Sequence, residues 1–62
     1  MKNRFTVSVD TGNAAFDDGE EGAELARILR DLADRIESRA CVSGSFRLFD
    51  INGNHVGEAR GA

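Results

Sequence analysis

From Arg4 to Val9 the chain alternates, with Phe5, Val7 and Val9 apolar and Arg4, Thr6 and Ser8 polar. A period of two sends each set to its own side of an extended backbone, so this segment predicts a strand with one face buried. Asp10, Thr11, Gly12 and Asn13 supply turn chemistry, and the loop continues through Phe16 to Gly19. Phe16 stands among polar neighbours and is expected to tuck under the sheet edge or to pack on the following helix as a staple.

The period then changes. Leu25, Ile28, Leu29, Leu32 and Ile36 recur at steps of three and four, with Ala26 and Ala33 beside them. That spacing makes one apolar stripe along a helix. Asp18 and Glu21 have the spacing of a capping box, with Asp in place of Ser or Thr, so the helix is expected to start near Gly19 or Glu20. Arg27 with Asp31, Arg30 with Asp34 and Asp31 with Arg35 lie one turn apart on outward faces, each pair contributing roughly 0.2–0.5 kcal/mol. The stripe fades from Ser38 to Ser43.

Ser45 to Phe49 and His55 to Ala59 read as two strands joined by Asp50-Ile51-Asn52-Gly53-Asn54. A two-residue Asn52-Gly53 loop sets Leu48 against Gly57, whereas a three-residue loop with Gly53 left-handed pairs Leu48 with Val56. The second register gathers Phe46, Leu48 and Val56 on one face, and Asp first and Gly fourth suit its turn. It is the register expected here. The whole chain therefore predicts an α+β fold of one domain, residues 1–62, ordered β-α-β-β, with one amphipathic helix packed on a three-stranded antiparallel sheet. The expected core is Phe5, Val7, Val9, Leu25, Ile28, Leu29, Leu32, Ile36, Phe46, Leu48 and Val56.

Size and charge narrow the function classes. A chain of 62 residues buries only about 60% of its unfolded surface, which leaves little room for a catalytic cleft. Cys41 is the only cysteine, so no disulfide closes within the chain; a small buried apolar role and a reducing, cytoplasmic setting are expected. No run of apolar residues is long enough to span a membrane. Eleven acidic side chains oppose eight basic ones, and their arrangement is uneven. Asp10, Asp17, Asp18, Glu20, Glu21 and Glu24 precede the first of the later arginines, with no Lys or Arg between Phe5 and Ala26. An acidic chain is poorly suited to direct nucleic-acid binding, where cationic side chains neutralise phosphates.

Candidate chemistry is sparse. His55, the only histidine, lies beside the turn without a second histidine to share a metal, and no cofactor is expected. Ser8, Ser38, Ser43 and Ser45 lack an obvious oriented base. Asp50, Asn52 and Asn54 superficially resemble a calcium loop, but Gly53 falls fourth where such a loop needs its glycine sixth. No catalytic or metal residue is therefore assigned, and the protein is expected to act by binding, as a monomer or weak homodimer. Two surfaces stand out. One is the acidic series Asp10, Asp17, Asp18, Glu20, Glu21 and Glu24, which has the charge to imitate a nucleic-acid backbone before a basic groove. The other is the outward sheet face, where Arg47, Phe49 and His55 form a possible second surface, suited to a protein contact or to dimerisation of a structural or regulatory module.

The stretches Glu24-Leu25-Ala26-Arg27-Ile28-Leu29-Arg30-Asp31-Leu32-Ala33-Asp34-Arg35-Ile36-Glu37 and Phe46-Arg47-Leu48-Phe49-Asp50-Ile51-Asn52-Gly53-Asn54-His55-Val56-Gly57 resemble small phage and prophage proteins of proteobacteria. Short acidic members of that pool look like anti-CRISPR proteins, particularly inhibitors of type I systems. The resemblance implies an inhibitor that occupies a DNA-binding surface on a type I effector subunit. It carries over no residue roles, because such proteins share no common motif.

Overall fold

The computed structural model describes residues 3–17, 19–40 and 43–61. Asp18, half of the expected capping box, and Cys41 lie outside them. Strand β1 (Phe5–Val9) leads through a single 3-10 turn (Ala14–Phe16) to helix α1 (Glu21–Arg39), and strands β2 (Gly44–Phe49) and β3 (His55–Gly61) complete the order. The sheet runs β1-β3-β2, antiparallel at both pairings, so the last strand is central. The α+β class, the helix and the three-stranded antiparallel sheet are as the sequence predicts.

The central strand explains how so short a chain closes a core. On its helix-facing side β3 presents Gly57, Ala59 and Gly61, which sit opposite Val9, Val7 and Phe5 of β1. These small residues leave room for large side chains to converge from both flanks. Phe5 meets Phe46 of β2 edge-on, with ring centroids 6.2 Å apart and planes at 66°. Ile28 and Leu32 descend from α1 onto this floor, and Phe16, Phe46, Leu48, Val56 and Ala59 complete the buried cluster. Gly57 is obligatory: a Cβ there collides with the Ser8 carbonyl oxygen and comes within 2.9 Å of Val9 Cα.

Two core expectations fail. Val7 and Leu29 are each 42% exposed, because α1 packs towards β2 and leaves the β1 side of the sheet uncovered. In their place Ala59 and Phe16 are buried; the 3-10 turn lays Phe16 against α1, the second of the two positions expected for it.

The hairpin turn has the expected form, but the strands beyond it shift. Gly53 is left-handed at φ 85, and its N–H donates to the Asp50 carbonyl at 3.0 Å while the Asp50 N–H donates to Asn54 at 2.9 Å. Leu48 nevertheless faces Gly57, not Val56, because an irregularity between Leu48 and Phe49 makes Val56 an extra residue on β3. Val56 still turns inward and is buried with Phe46 and Leu48. The core face is the one expected; the pairing is not.

Candidate functional site

The acidic series divides into two populations. Asp17 follows the 3-10 turn, Glu20 sits at the N-cap of α1 without a side-chain capping bond, and Glu21 opens the helix; all three are exposed. A backbone bond from the Glu20 N–H to the Asp17 carbonyl, 3.1 Å, fixes the turn between them. Asp10 is exposed at the far end of β1, where its Oδ1 accepts the Gly12 N–H at 2.9 Å. Asp18 is outside the described residues.

Glu24 does not belong with them. It is 6% exposed, and Arg27 forms a two-point bond to it: Nε to Oε1 at 3.1 Å and Nη2 to Oε2 at 3.0 Å. The expected membership of Glu24 in the binding surface is therefore corrected, since an internal arginine neutralises it and the fold covers it. The same reach draws Arg27 away from the expected Asp31 pairing. The expected Asp31–Arg35 pair does form, with Asp31 3.1 Å from Arg35 Nε, a charge contact in which the N–H is not aimed along a hydrogen bond.

Glu24 and Asp50 together form a polar clasp between helix and hairpin. Oε2 of Glu24 accepts the Ile51 N–H at 2.8 Å, and Arg27 Nη2 donates on to the Phe49 carbonyl at 3.0 Å. Asp50, 4% exposed, accepts the backbone N–H groups of Asn52 and Asn54 at 2.9 and 2.8 Å. Its other oxygen accepts the side-chain amides of Asn13 at 2.8 Å and Asn54 at 3.1 Å. Asn13 also caps the 3-10 turn through Oδ1, so one side chain ties that turn to the hairpin.

Both carboxyls titrate below their ordinary values. For Glu24 the Arg27 bond is the largest cause, working against burial and aided by the Ile51 N–H. For Asp50 burial pushes the carboxyl up, but the donors of Asn54, Asn52 and Asn13 together outweigh it. Arg27 is correspondingly raised by its bond to Glu24. These acids are held ionised and bonded by several donors each, which suits a structural lock. Among the described residues no three of His, Cys, Asp and Glu converge as metal ligands, and no helix is long and apolar enough to cross a membrane.

The second expected surface lies on the open side of the sheet. Phe49 is 42% exposed, and its ring lies 5.7 Å from that of His55, tilted by 53°. Arg47 is opposite Glu58 on β3, and Ser45 is opposite Arg60. Phe49 thus stands beside His55 on a face otherwise made of charged and hydroxyl side chains.

A third surface was not legible as such. Val7, Val9, Thr11, Leu25 and Leu29 line an apolar groove of about 300 Å³ between β1 and α1. Its signal was present in the sequence as an apolar stripe wider than one strand needs. No family model matches the chain, and no curated protein or solved structure matches it either.

Proposed function

We infer that the protein acts by binding a cationic protein surface that otherwise holds nucleic-acid phosphates, with Asp10, Asp17, Glu20 and Glu21, joined by Asp18, as the contacting carboxylates. The observation that carries this reading is the exposure of Asp17, Glu20 and Glu21 around one turn whose backbone is pinned. Among the described residues none of the three has an ion-pair partner, in contrast to Glu24. Carboxylates on a fixed turn present negative charge without first breaking internal bonds, and they steer a basic groove over distances set by ionic strength. Taken with the resemblance to small phage inhibitors, the proposed target is the DNA-binding surface of a type I CRISPR effector, and the proposed effect is exclusion of target DNA.

The test is competition. Purified protein incubated with a type I effector and labelled target DNA is expected to prevent DNA binding, less effectively as salt rises. The Asp17→Lys, Glu20→Lys, Glu21→Lys triple variant is expected to lose inhibition while keeping its circular dichroism. Unchanged inhibition by that variant removes the carboxylates from the account, and DNA binding undisturbed by the native protein removes the effector.

A further inference from the structure

We propose that β1 is a homodimer interface, through which two copies pair edge to edge about a two-fold axis at Val7 to form one continuous six-stranded sheet. This inference does not require the inhibitory function, although it engages Asp10, one of the carboxylates assigned there; it rests on the unpaired edge of the sheet.

The direction of the free backbone groups follows from the observed ladder. Val9 lies opposite Gly57, and the next residue, Asp10, donates its N–H to the Val56 carbonyl at 2.7 Å. Val9 and Gly57 are therefore a pair without mutual hydrogen bonds. By alternation Thr6 and Ser8 bond to β3, and the N–H and C=O groups of Phe5, Val7 and Val9 point out from the edge. Edge strands are usually blunted by a charge, a proline or a bulge. The segment Phe5-Thr6-Val7-Ser8-Val9 has none of these, whereas β2, the opposite edge, carries Arg47 at its centre.

A second copy fits this edge better than an arbitrary strand because β1 is complementary to its own reverse. With Val7 facing Val7 of the second copy, Phe5 meets Val9, and the outward peptide groups bond in both directions. Thr6 then faces Ser8 and Arg4 faces Asp10, as cross-strand pairs of the closer, non-hydrogen-bonded kind. Both hydroxyl and charge pairs are favourable, and each occurs twice under the symmetry. Among the described residues Arg4 has no ion-pair partner within its own chain. The same pairing brings the two grooves to the axis, so the half-exposed Val7 and Leu29 of each copy gain apolar neighbours. For a domain of this size, added buried area is a substantial gain.

Sedimentation equilibrium tests this. The native chain is expected to show twice the mass of one chain as concentration rises, and a monomer at every attainable concentration overturns the proposal. Val7→Lys sets two ammonium groups face to face and is expected to give a monomer with unchanged circular dichroism; Leu29→Lys gives the same result from the helix side. A Val7→Lys protein that remains dimeric, or a dimer dissolved only by Phe49→Ala, places the interface elsewhere and overturns it. Arg4→Asp and Asp10→Arg are each expected to weaken association about tenfold by setting like charges opposite. Mixing those two variants restores opposite charges at every position and is expected to restore the dimer. A mixture no tighter than either variant alone refutes the two-fold register.

Discussion

The clasp around Asp50 and the β1 edge are opposite solutions to the same problem of unsatisfied polar groups. In the clasp, Glu24 and Asp50 accept bonds from a guanidinium, two side-chain amides and three backbone N–H groups, and both are nearly closed to solvent. At the edge, the outward peptide groups of β1 have no partner within the described chain, and Val7 stays half exposed. Charge alone does not separate structural from interacting regions here: Glu24 is internal although Glu20 and Glu21, within one helical turn of it, are exposed. What separates them is whether the chain supplies the complement. The clasp is complete and holds the shape; the edge and the acidic turn are incomplete, and the two proposed contacts are assigned to them.

Gly57→Ala breaks the contrast most severely. Its Cβ strikes the Ser8 carbonyl and crowds Val9, so β1 must leave β3 at an expected loss of about 3 kcal/mol or more. Urea denaturation measures the loss, and hydrogen exchange is expected to show it concentrated in β1 while the hairpin amides stay protected.

Replacing the clasp charges, Glu24→Gln with Asp50→Asn, comes next and sharpens the comparison through pH. Both native carboxyls bind protons less readily folded than unfolded. Their stabilising contribution is thus fully present above the ordinary carboxylate range, about pH 4, and is lost as pH falls through the lower folded values. The double variant is expected to be less stable at neutral pH and to lose less on acidification. Urea midpoints taken across the acid limb check both, and parallel acid limbs for variant and native protein contradict the assignment.

The smallest effect is expected at the open acids. Asp17→Asn, Glu20→Gln and Glu21→Gln make no side-chain bond that folding needs and should each shift stability by no more than about 0.5 kcal/mol. The urea midpoint again reads it. A larger loss from any of them assigns that carboxylate to the scaffold.

Periodicity revealed most of the fold. The stripe from Leu25 to Ile36 marks α1, and the alternation at Phe5, Val7 and Val9 marks β1, because both patterns are properties of consecutive residues. Gly53 in its turn was legible for the same reason. The fate of Glu24 was not, because its acceptor bond to Ile51 spans 27 residues and that of Asp50 with Asn13 spans 37. A faint signal existed: Glu24 lies one turn before Ile28 on the apolar stripe, with Arg27 three residues on. The exposure of Val7 and Leu29 depends on where the helix axis crosses the sheet, which no local pattern encodes. The Leu48 register was missed because an inserted Val56 keeps its inward direction while displacing the pair.

The strand order has a consequence for how the molecule assembles in time. The helix and hairpin are consecutive in the chain and can close on one another through the Glu24 bonds without waiting for anything earlier. The first strand pairs with residues at the other end of the chain, Phe5 with Gly61 and Val9 with Gly57, so its closure along β3 is the longest-range step and is expected to follow the helix–hairpin contacts. The outward edge that a second copy would use is thus expected to be set in place only when that long-range pairing has closed.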